Sequence, residues 1–508
     1  FLLSYTKTLT EYFDLGVSVG ANHRVAKNRY QRLSANSLSI PAIYNFGNAA
    51  EPLTTSDYDS EFRVNSAYAF GNIAYKNYLF LDLTARNDWS STLPEDNNSY
   101  FYPSAGISAI LSDMFEMPEA ISFAKLRAGY AVVGNDTNPY NLAATYGFGD
   151  TFNGFSRVYS PSELKNSDLK PEKTNSIELG ADVRFFGNRL GLDIAVYQST
   201  TKNQIISLPV SNTSGFSSRV INAGEVQNRG LEITLNATPL RTDDFRWNSS
   251  VNFTMNRGKV VDLTEGLDFY TIKNNYLTVG AAIGERIGDL YGTGFQKVND
   301  PDSEYNGQWI INPDSGLPIV DNELRKLGNY SPDFMVGFQN SFQYKNFNFS
   351  FLFDWRQGGE FHSRTVAIGG TTGMLDFTVP GRETGIVAAG VIANADGSYT
   401  QNTQNVSASN YYSHVYNRSN EESSMFDATY VKLREVKLGY NLPKKWFDTV
   451  PFSSATISLV GRNLALWTEN DHVDPESISF SGGSIVPGVE DMALPSTRSF
   501  GLNVNLEF

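Results

Sequence analysis

Apolar and polar side chains alternate along most of this chain. In the segment 497–508 the two sets fall on opposite sides of one extended strand. A strand with one apolar and one polar face suits a wall between lipid and a watery lumen. The pattern predicts an all-β protein, a transmembrane antiparallel β-barrel. Its C-terminal barrel-assembly strand would present Phe500, Leu502, Val504, Leu506 and Phe508 to the lipid, with Phe508 in an aromatic girdle.

The same alternation recurs in a series of predicted hairpins. The clearest spans 174–197, where two alternating segments flank a tight Gly187-Asn188 connection. Counting in this way gives about fifteen strands joined alternately by short turns and long loops, the arrangement of bacterial barrels with turns on the periplasmic rim. We therefore expect residues 1–508 to form the C-terminal part of one barrel domain with long extracellular loops at about 21–61, 134–173, 257–331, 357–424 and 467–495.

One predicted strand breaks the pattern. In Tyr430–Asn441, Val431 and Leu433 are apolar at odd positions, whereas Val436 and Leu438 are apolar at even positions. A β-bulge, or a strand that protrudes above the bilayer, would produce this change of parity.

Composition supports the barrel and excludes several other classes. Aromatic residues make up 13% of the chain and hydrophobic residues 41%. This composition is expected for a barrel in which one face of each strand and two interfacial belts are apolar. The longest apolar run, 385–393, is too short for a membrane-spanning helix. A net charge of −14 disfavours nucleic acid as a partner, and the lack of cysteine removes disulfides and thiolate chemistry.

Several segments resemble the SusC/RagA family of TonB-dependent outer-membrane transporters. The matching stretches are 87–94 (NDWSSTLP), 99–106 (SYFYPSAG), 126–136 (LRAGYAVVGND), 169–172 (LKPE), 178–180 (ELG), 222–224 (NAG), 228–232 (NRGLE), 330–337 (YSPDFMVG), 344–349 (YKNFNF), 357–359 (QGG), 430–443 (YVKLREVKLGYNLP) and 461–464 (GRNL). They cover nearly the whole chain, and together they are specific.

The resemblance implies a 22-stranded barrel of a Gram-negative outer membrane, filled by an N-terminal plug and energised by TonB. About fifteen of those strands would lie in this sequence, and the plug and TonB box would lie upstream of it. The family further implies a SusD-like surface lipoprotein as a lid, dimers of transporter–lipoprotein pairs, and oligosaccharides or peptides as substrates. Active import is the function that this resemblance predicts. The alternative is a large passive porin or a loop-displaying adhesin.

Aromatic side chains in the long loops are the candidate substrate contacts, because such rings stack on the apolar faces of sugars. The alternative is that these rings pack the loops together or belong to the outer girdle. The candidates are Trp89, Tyr140, Trp309, Tyr411, Tyr412 and Trp467.

The sequence offers little catalytic or metal-binding chemistry. Gly16–Gly20 matches the hydrolase pattern G-x-S-x-G around Ser18, but it lies in a predicted strand rather than at a strand-to-helix turn. The four histidines lack metal-ligand spacing, and we interpret them as isolated surface residues in loops. We therefore expect no enzyme, cofactor or metal site. The histidines are His23, His362, His414 and His472.

Overall fold

The computed structural model describes residues 1–274, 276–446, 452–477, 479–481 and 484–507. The prediction for Phe508 lies outside the described residues. The chain divides into two compact units. Unit one comprises Phe1–Met114, Lys125–Leu179 and Gln198–Gln227, and unit two comprises Phe115–Ala124, Gly180–Tyr197 and Asn228–Phe508.

Strands account for most of the secondary structure. The first thirteen are β1 (Leu2–Thr10), β2 (Phe13–Ser34), β3 (Thr54–Tyr75), β4 (Leu79–Ser90), β5 (Ser99–Ile110), β6 (Ile121–Asn135), β7 (Gly147–Phe152), β8 (Phe155–Tyr159), β9 (Glu163–Leu164), β10 (Glu172–Phe185), β11 (Leu190–Pro209), β12 (Ser218–Arg241) and β13 (Phe245–Asp262). The next sixteen are β14 (Phe269–Asn274), β15 (Thr278–Ala282), β16 (Asp289–Phe295), β17 (Val320–Asn329), β18 (Phe334–Tyr344), β19 (Phe347–Gln357), β20 (Glu360–Ser363), β21 (Val391–Ala393), β22 (Tyr399–Gln401), β23 (Met425–Asp427), β24 (Tyr430–Asn441), β25 (Ser454–Thr468), β26 (Ser479–Ser481), β27 (Ser484–Val486), β28 (Val489–Glu490) and β29 (Ser499–Glu507).

Helices are short and lie between strands. The α-helices are α1 (Leu111–Met114), α2 (Arg364–Thr372) and α3 (Ala408–Val415). The 3-10 turns span Phe46–Asn48, Asn212–Ser214, Asp376–Thr378, Glu421–Ser424 and Lys444–Trp446. Within the described residues, no helix has the length and apolarity needed to span a bilayer.

The main sheet confirms the predicted strand number. Its order in unit one is β1-β2-β3-β4-β5-β6-β10-β11-β12, and in unit two it is β10-β11-β12-β13-β18-β19-β24-β25-β29. The strands β10, β11 and β12 contribute separate segments to the two units. Within the part of the chain that the structure describes, fifteen strands follow one another along this path, and the short β9 pairs with β12 beside it.

The strands are longer than the hydrophobic pattern predicted. The expected loop 21–61 is wrong in its bounds, because β2 continues to Ser34 and β3 begins at Thr54. The backbone pairing of β2 with β3 continues to Ser34 and Thr54, and charged side chains flank it, with Lys27 paired to Glu61 at 3.0 Å and Arg29 to Asp59 at 3.5 Å. A strand pair that extends into water needs no apolar face, so the alternation of hydrophobic residues does not reveal it.

Each strand of the main sheet keeps an apolar and a polar face. The apolar face of β19 carries Phe347, Phe349, Phe351 and Phe353, and these pair with apolar residues of β24. On β29 the side chains of Phe500, Leu502, Val504 and Leu506 are exposed, as an outward apolar face requires. The opposite face of the sheet is polar, and in unit two it lines a groove with a volume of about 550 Å³. The lining residues include Asp182, Arg184, Asp193, Thr238, Gln339 and Ser341.

A bulge at Arg434 explains the change of parity in β24. Leu433 and Glu435 pair with consecutive residues of β19, which leaves Arg434 as the extra residue. The pairing of β24 with β25 shifts at the same place. Leu433, Val436 and Leu438 therefore all lie on the apolar face, and the predicted bulge is confirmed.

The tight turns use left-handed backbone conformations. Lys76 and Asn77 both have positive φ values (49° and 57°), as do Gly187 and Asn188 (both 64°). The first turn is closed by a hydrogen bond from the N–H of Tyr78 to the carbonyl of Tyr75, as in a two-residue hairpin turn. The second connection has four residues between β10 and β11. The predicted short connections at these two positions are confirmed.

The long connections fold into sheets and helices of their own. In unit two, β14, β15, β16 and β17 form a four-stranded sheet, and β20 joins β23 and β28 in a three-stranded sheet. Buried residues from two different connections meet in one hydrophobic cluster made of Leu277, Val279, Leu290, Val486 and Val489. The predicted loops 257–331, 357–424 and 467–495 thus contain a packed substructure.

A charge on the apolar face should be costly, whereas the same charge on the polar face should not. Leu459 is 62% exposed near the middle of β25 on the apolar face. We expect Leu459→Arg to lower the free energy of unfolding in a bilayer by about 2–4 kcal/mol. The measurement is urea unfolding of the complete protein in lipid vesicles. The matched control is Gln339→Arg, which lines the polar groove, and equal losses for the two variants would contradict the assignment of the faces.

Candidate functional site

In unit one, residues of three of the segments that resemble the family meet where β4 ends, β5 begins and β6 ends. Ser90 is buried, and its hydroxyl donates to the carboxylate of Asp136 at 2.5 Å. Asp88 accepts from Arg86 at 2.8 Å and also from the hydroxyl of Tyr102. The segments 87–94, 99–106 and 126–136 therefore form one polar network that fixes the strand ends.

Asn222 connects two further segments of unit one. Its side chain accepts from the backbone N–H of Lys170 and donates to the carbonyl of the same residue, both at 2.8 Å. It also donates to the carbonyl of Asn203 at 2.9 Å. Leu169 beside it is fully buried with Leu93 and Val220. The connection before β10 is thus held by both hydrogen bonds and apolar packing.

A polar cleft opens beside this network in unit one. Its volume is about 430 Å³. Glu172 accepts from Asn135 at 3.1 Å and from the backbone of Ile205 at 2.8 Å, and Glu163 accepts from Ser207 at 2.6 Å. Amide and carboxylate groups of this kind can bind hydroxyls or peptide groups. The lining residues include Asn135, Asp136, Thr137, Asn138, Asn141, Glu163, Glu172 and Ser207.

In unit two, a buried ionic cluster ties the connection 469–498 to the main sheet. Lys432 is 1% exposed, and its ammonium contacts Asp474 at 2.8 and 2.9 Å and Glu476 at 2.6 Å. Arg434 bridges Glu476 at 2.7 Å and Asp354 at 2.5 Å. We call these five residues the ionic clamp. Two cations face three carboxylates, so every charge in the clamp has an opposite partner.

The two loop carboxylates of the clamp favour their charged forms. Burial raises the pKa of Glu476, but hydrogen bonds from Arg434 and Lys432 outweigh burial and lower it overall. The pKa of Asp474 is lowered in the same way, against burial, by Lys432 and Ser496. A lowered pKa means that these groups stabilise the fold above their ordinary pKa and lose that effect as the pH falls.

Three of the predicted aromatic contacts take part in packing within unit two. Trp309 lies edge-on to the buried ring of Phe295, with ring centroids 5.1 Å apart. Phe295 stacks in turn on His414 of α3. Tyr411 and Tyr412 lie on α3, and Tyr412 also lines a cleft of about 330 Å³ with Thr371, Arg382 and Ser407.

The other three predicted contacts lie in different surroundings. Trp89 lies on the same side of β4 as Leu81 and Leu83, and is 41% exposed. Trp467 pairs with Val431 on the apolar face of β25, and its ring centroid lies 6.2 Å from that of Phe353. These positions suit the outer girdle. Tyr140 is 57% exposed, and its hydroxyl accepts from the backbone N–H of Glu61 at 3.1 Å.

The interpretation of the histidines as isolated surface residues in loops is wrong for His414, which lies on α3 and packs there, and for His362. His362 lies in β20 and is 2% exposed. Burial lowers the pKa of His362 to about 4, so the ring is neutral at physiological pH. His23 lies in the extended part of β2 rather than in a loop, and Ser18 lies in the same strand, where its hydroxyl donates to Ser4 at 2.8 Å.

The sequence contains signals for the polar network and the clamp, although the predicted aromatic contacts do not include them. Lys432 and Arg434 are two cations inside a strand of otherwise alternating pattern, next to the change of parity. Charged groups at such positions require opposite charges when they are buried. Their partners, Asp474 and Glu476, lie some forty residues away, and sequence spacing alone does not reveal that contact.

These features agree with a known family. The sequence profile described as "TonB dependent receptor-like, beta-barrel" matches residues 2–464. The chain therefore belongs to the TonB-dependent receptor family of outer-membrane β-barrel proteins of Gram-negative bacteria. The resemblance to SusC and RagA found in the sequence is confirmed.

Curated relatives match across most of the chain. TonB-dependent receptor P3 of Formosa agariphila is 26% identical over 100% of this chain and 52% of its own length. TonB-dependent receptor P26 of the same organism is 28% identical over 96% of this chain and 52% of its own length. TonB-dependent receptor SusC of Bacteroides thetaiotaomicron is 24% identical over 91% of this chain and 46% of its own length. The chain spans about half the length of these relatives.

A solved structure shares the fold. The structure of the RagAB peptide transporter superposes with a TM-score of 0.77 at 20% identity, covering 100% of this chain and 55% of that chain. This similarity establishes the architecture of a TonB-dependent barrel for the chain.

Removal of one cation from the clamp should release the connection 469–498. Lys432→Met leaves Asp474 and Glu476 buried without their shared partner, which costs about 3–5 kcal/mol. We expect limited proteolysis of the complete protein in detergent to cleave this connection at least tenfold faster. Acidification should do the same to the unsubstituted protein, but only well below the ordinary carboxylate pKa range, because the lowered pKa values of Asp474 and Glu476 keep both groups charged until then.

The matched control is Arg462→Met. Arg462 pairs with Glu435 at 3.0 Å, but its side chain is 65% exposed, and exposed pairs contribute about 0–1 kcal/mol. Its cleavage rate should stay close to that of the unsubstituted protein. Unchanged cleavage of Lys432→Met would show that the clamp does not hold the connection.

Proposed function

We propose that this chain is the conduit of a TonB-dependent importer of oligosaccharides or peptides in the outer membrane. The supporting observation is a polar cleft in the folded connections of unit one, together with an antiparallel sheet whose strands have one apolar and one polar face. Membership of the TonB-dependent receptor family supports energised transport rather than passive diffusion.

The chemistry of the cleft supports the two substrate classes. Asn135, Asn138 and Asn141 supply amides, and Asp136 and Glu172 supply carboxylates. Amides both donate and accept hydrogen bonds, so they suit sugar hydroxyls and peptide groups alike. Among the solved structures that share the fold, one is described as a peptide transporter, which supports the peptide class.

The proposal includes two partners. TonB would supply energy through parts of the protein upstream of this sequence, and a SusD-like lipoprotein would close the conduit from outside. The packed connections of unit two suit a fixed rim for such a lid, because the ionic clamp and the cluster around Leu290 hold them in place. Dimers of transporter–lipoprotein pairs belong to the same proposal.

Blocking the cleft should reduce import. Asn138 is an exposed lining residue, and Asn138→Trp would fill part of the cleft without disturbing a buried contact. We expect uptake by cells carrying the complete protein to fall at least tenfold. The measurement is depletion of a defined mixture of oligosaccharides and tryptic peptides from the medium, followed by mass spectrometry. Whichever class is depleted identifies the cargo.

The matched control is Glu95→Trp, an exposed residue on the turn between β4 and β5, which should leave uptake unchanged. Uptake should also stop when the proton gradient is collapsed. Uptake that continues without the gradient would indicate a passive porin, and cells that deplete neither class with or without the protein would favour an adhesin.

A further inference from the structure

A second polar cleft lies in unit two, between α2 and α3 in the connection from β19 to β24, and it shares no residue with the ionic clamp. Its volume is about 330 Å³. Ligand pockets range over roughly 300–1,000 Å³, so a cleft of this size suits one sugar ring or one amino-acid side chain. The lining includes Thr371, Arg382, Ser407, Ser409 and Tyr412. We call it the arginine cleft.

The arginine cleft is positively charged in a strongly acidic chain. The described residues that line it include Arg382 and no carboxylate, although the chain as a whole has a net charge of −14. Two acidic residues are close in sequence, but Glu383 does not line the cleft, and Asp376 approaches the ring of His472 at 3.8 Å. An anion that enters the cleft therefore meets a cation and no like charge in its lining.

Three hydrogen bonds hold Arg382 in place. Its Nε donates to the carbonyl of Thr378 at 3.0 Å, and its Nη2 donates to the carbonyl of Gly373 at 2.6 Å and to Oγ1 of Thr378 at 3.0 Å. Thr378 is 1% exposed, so the guanidinium is anchored in the protein. The third nitrogen, Nη1, has no partner among the described residues. Arg382 is thus fixed in advance and keeps the N–H groups of Nη1 for a ligand.

The serine hydroxyls of the cleft add further donors. Oγ of Ser407 accepts from the backbone N–H of Asn410 at 3.3 Å, which leaves its own proton free to donate. Ser409 is exposed, and in the part of the chain that the structure describes its hydroxyl has no hydrogen-bond partner. Attachment of Arg382 to the end of α2 accounts for Nε and Nη2, but it does not account for Nη1 or for these hydroxyls. Together they form a set of donors that suits an acceptor group.

An aromatic ring completes the lining. Tyr412 is one of the predicted substrate contacts, and its hydroxyl donates to the carbonyl of Pro380 at 3.3 Å. Its ring also packs near that of Phe377, with centroids 6.1 Å apart. A ring that is held beside fixed donors suits a ligand with both an apolar surface and an acidic group.

We propose that the arginine cleft binds a carboxylate group of the imported substrate, with Arg382 as its ion-pair partner and Ser407 and Ser409 as hydrogen-bond donors. Carboxylates occur in both proposed substrate classes, as uronic acid units of oligosaccharides and as acidic side chains of peptides. This inference rests on the proposed function, and it narrows the substrate to acidic members of those two classes.

Calorimetric titration of the complete protein in detergent tests the chemistry of the ligand. The probes are trigalacturonate and its methyl ester, and the blocked tripeptides acetyl-Gly-Glu-Gly-amide and acetyl-Gly-Gln-Gly-amide. We expect at least one of the two acids to bind at least tenfold more tightly than its uncharged counterpart, and that acid identifies the source of the carboxylate. The preference should shrink as the salt concentration rises, because salt screens the attraction to Arg382.

The substitution Ser409→Asp tests the site itself. A carboxylate at this position would repel an anionic ligand and occupy Arg382, so we expect the affinity for the acid to fall at least tenfold. Ser409 is the second residue of α3, where an acidic side chain favours the helix, so the cleft should keep its fold. Removal of Arg382 would also release Gly373 and is therefore less selective. The uncharged variant Ser409→Asn should bind the acid at least tenfold more tightly than Ser409→Asp.

The matched control is Ser315→Asp, which adds the same charge to an exposed turn before β17 that does not line the cleft. It should leave the affinity unchanged. Equal affinity for both acids and their uncharged counterparts would overturn the inference, as would unchanged acid binding by Ser409→Asp. If either result accompanies uptake that depends on the proton gradient, the proposed function stands and only the carboxylate site fails. Uptake that continues without the gradient would instead contradict the proposed function.

Discussion

Backbone pairing inside a bilayer is the constraint on which the rest of this structure depends. In hydrocarbon every N–H and C=O must find a protein partner, and the antiparallel main sheet provides these partners from one strand to the next. Because side chains alternate, the same pairing forces one face towards lipid and the other towards water. The bulge at Arg434 shows how strict the constraint is. One extra residue keeps Leu433, Val436 and Leu438 on the apolar face.

The connections lie beyond the paired strands of the main sheet, so their buried polar groups must find partners within the connections or at the strand ends. In unit two they do so with a small hydrophobic cluster and the ionic clamp, which is fully paired despite the burial of Lys432. In unit one they do so with networks around Asp88, Asp136 and Asn222. The networks of unit one give the polar cleft of that unit a fixed wall.

The sequence was sufficient to predict the fold but not most of the candidate site. The alternation of apolar and polar residues marks strands that face lipid. It therefore predicts the fifteen strands of the main sheet, the two tight turns and the bulge. The alternation did not predict the outer parts of β2 and β3, because charged residues such as Lys27 and Glu61 pair with each other there. The clamp joins Lys432 to Asp474, a contact set by the fold of a long connection, which no local pattern records. The burial of His362 is hidden from the local sequence for the same reason, because it depends on the pairing of β20 with β23 and β28.

Side chains of the main sheet alternate between lipid and water. The decisive experiment places spin labels on single cysteines at 500 to 506 of β29 in the complete protein in a bilayer; residues 1–508 contain no native cysteine. We expect labels at Phe500, Leu502, Val504 and Leu506 to be accessible to oxygen, and labels at Gly501, Asn503 and Asn505 to be accessible to a water-soluble nickel complex. Accessibility that does not alternate between successive positions would show that β29 does not separate lipid from water.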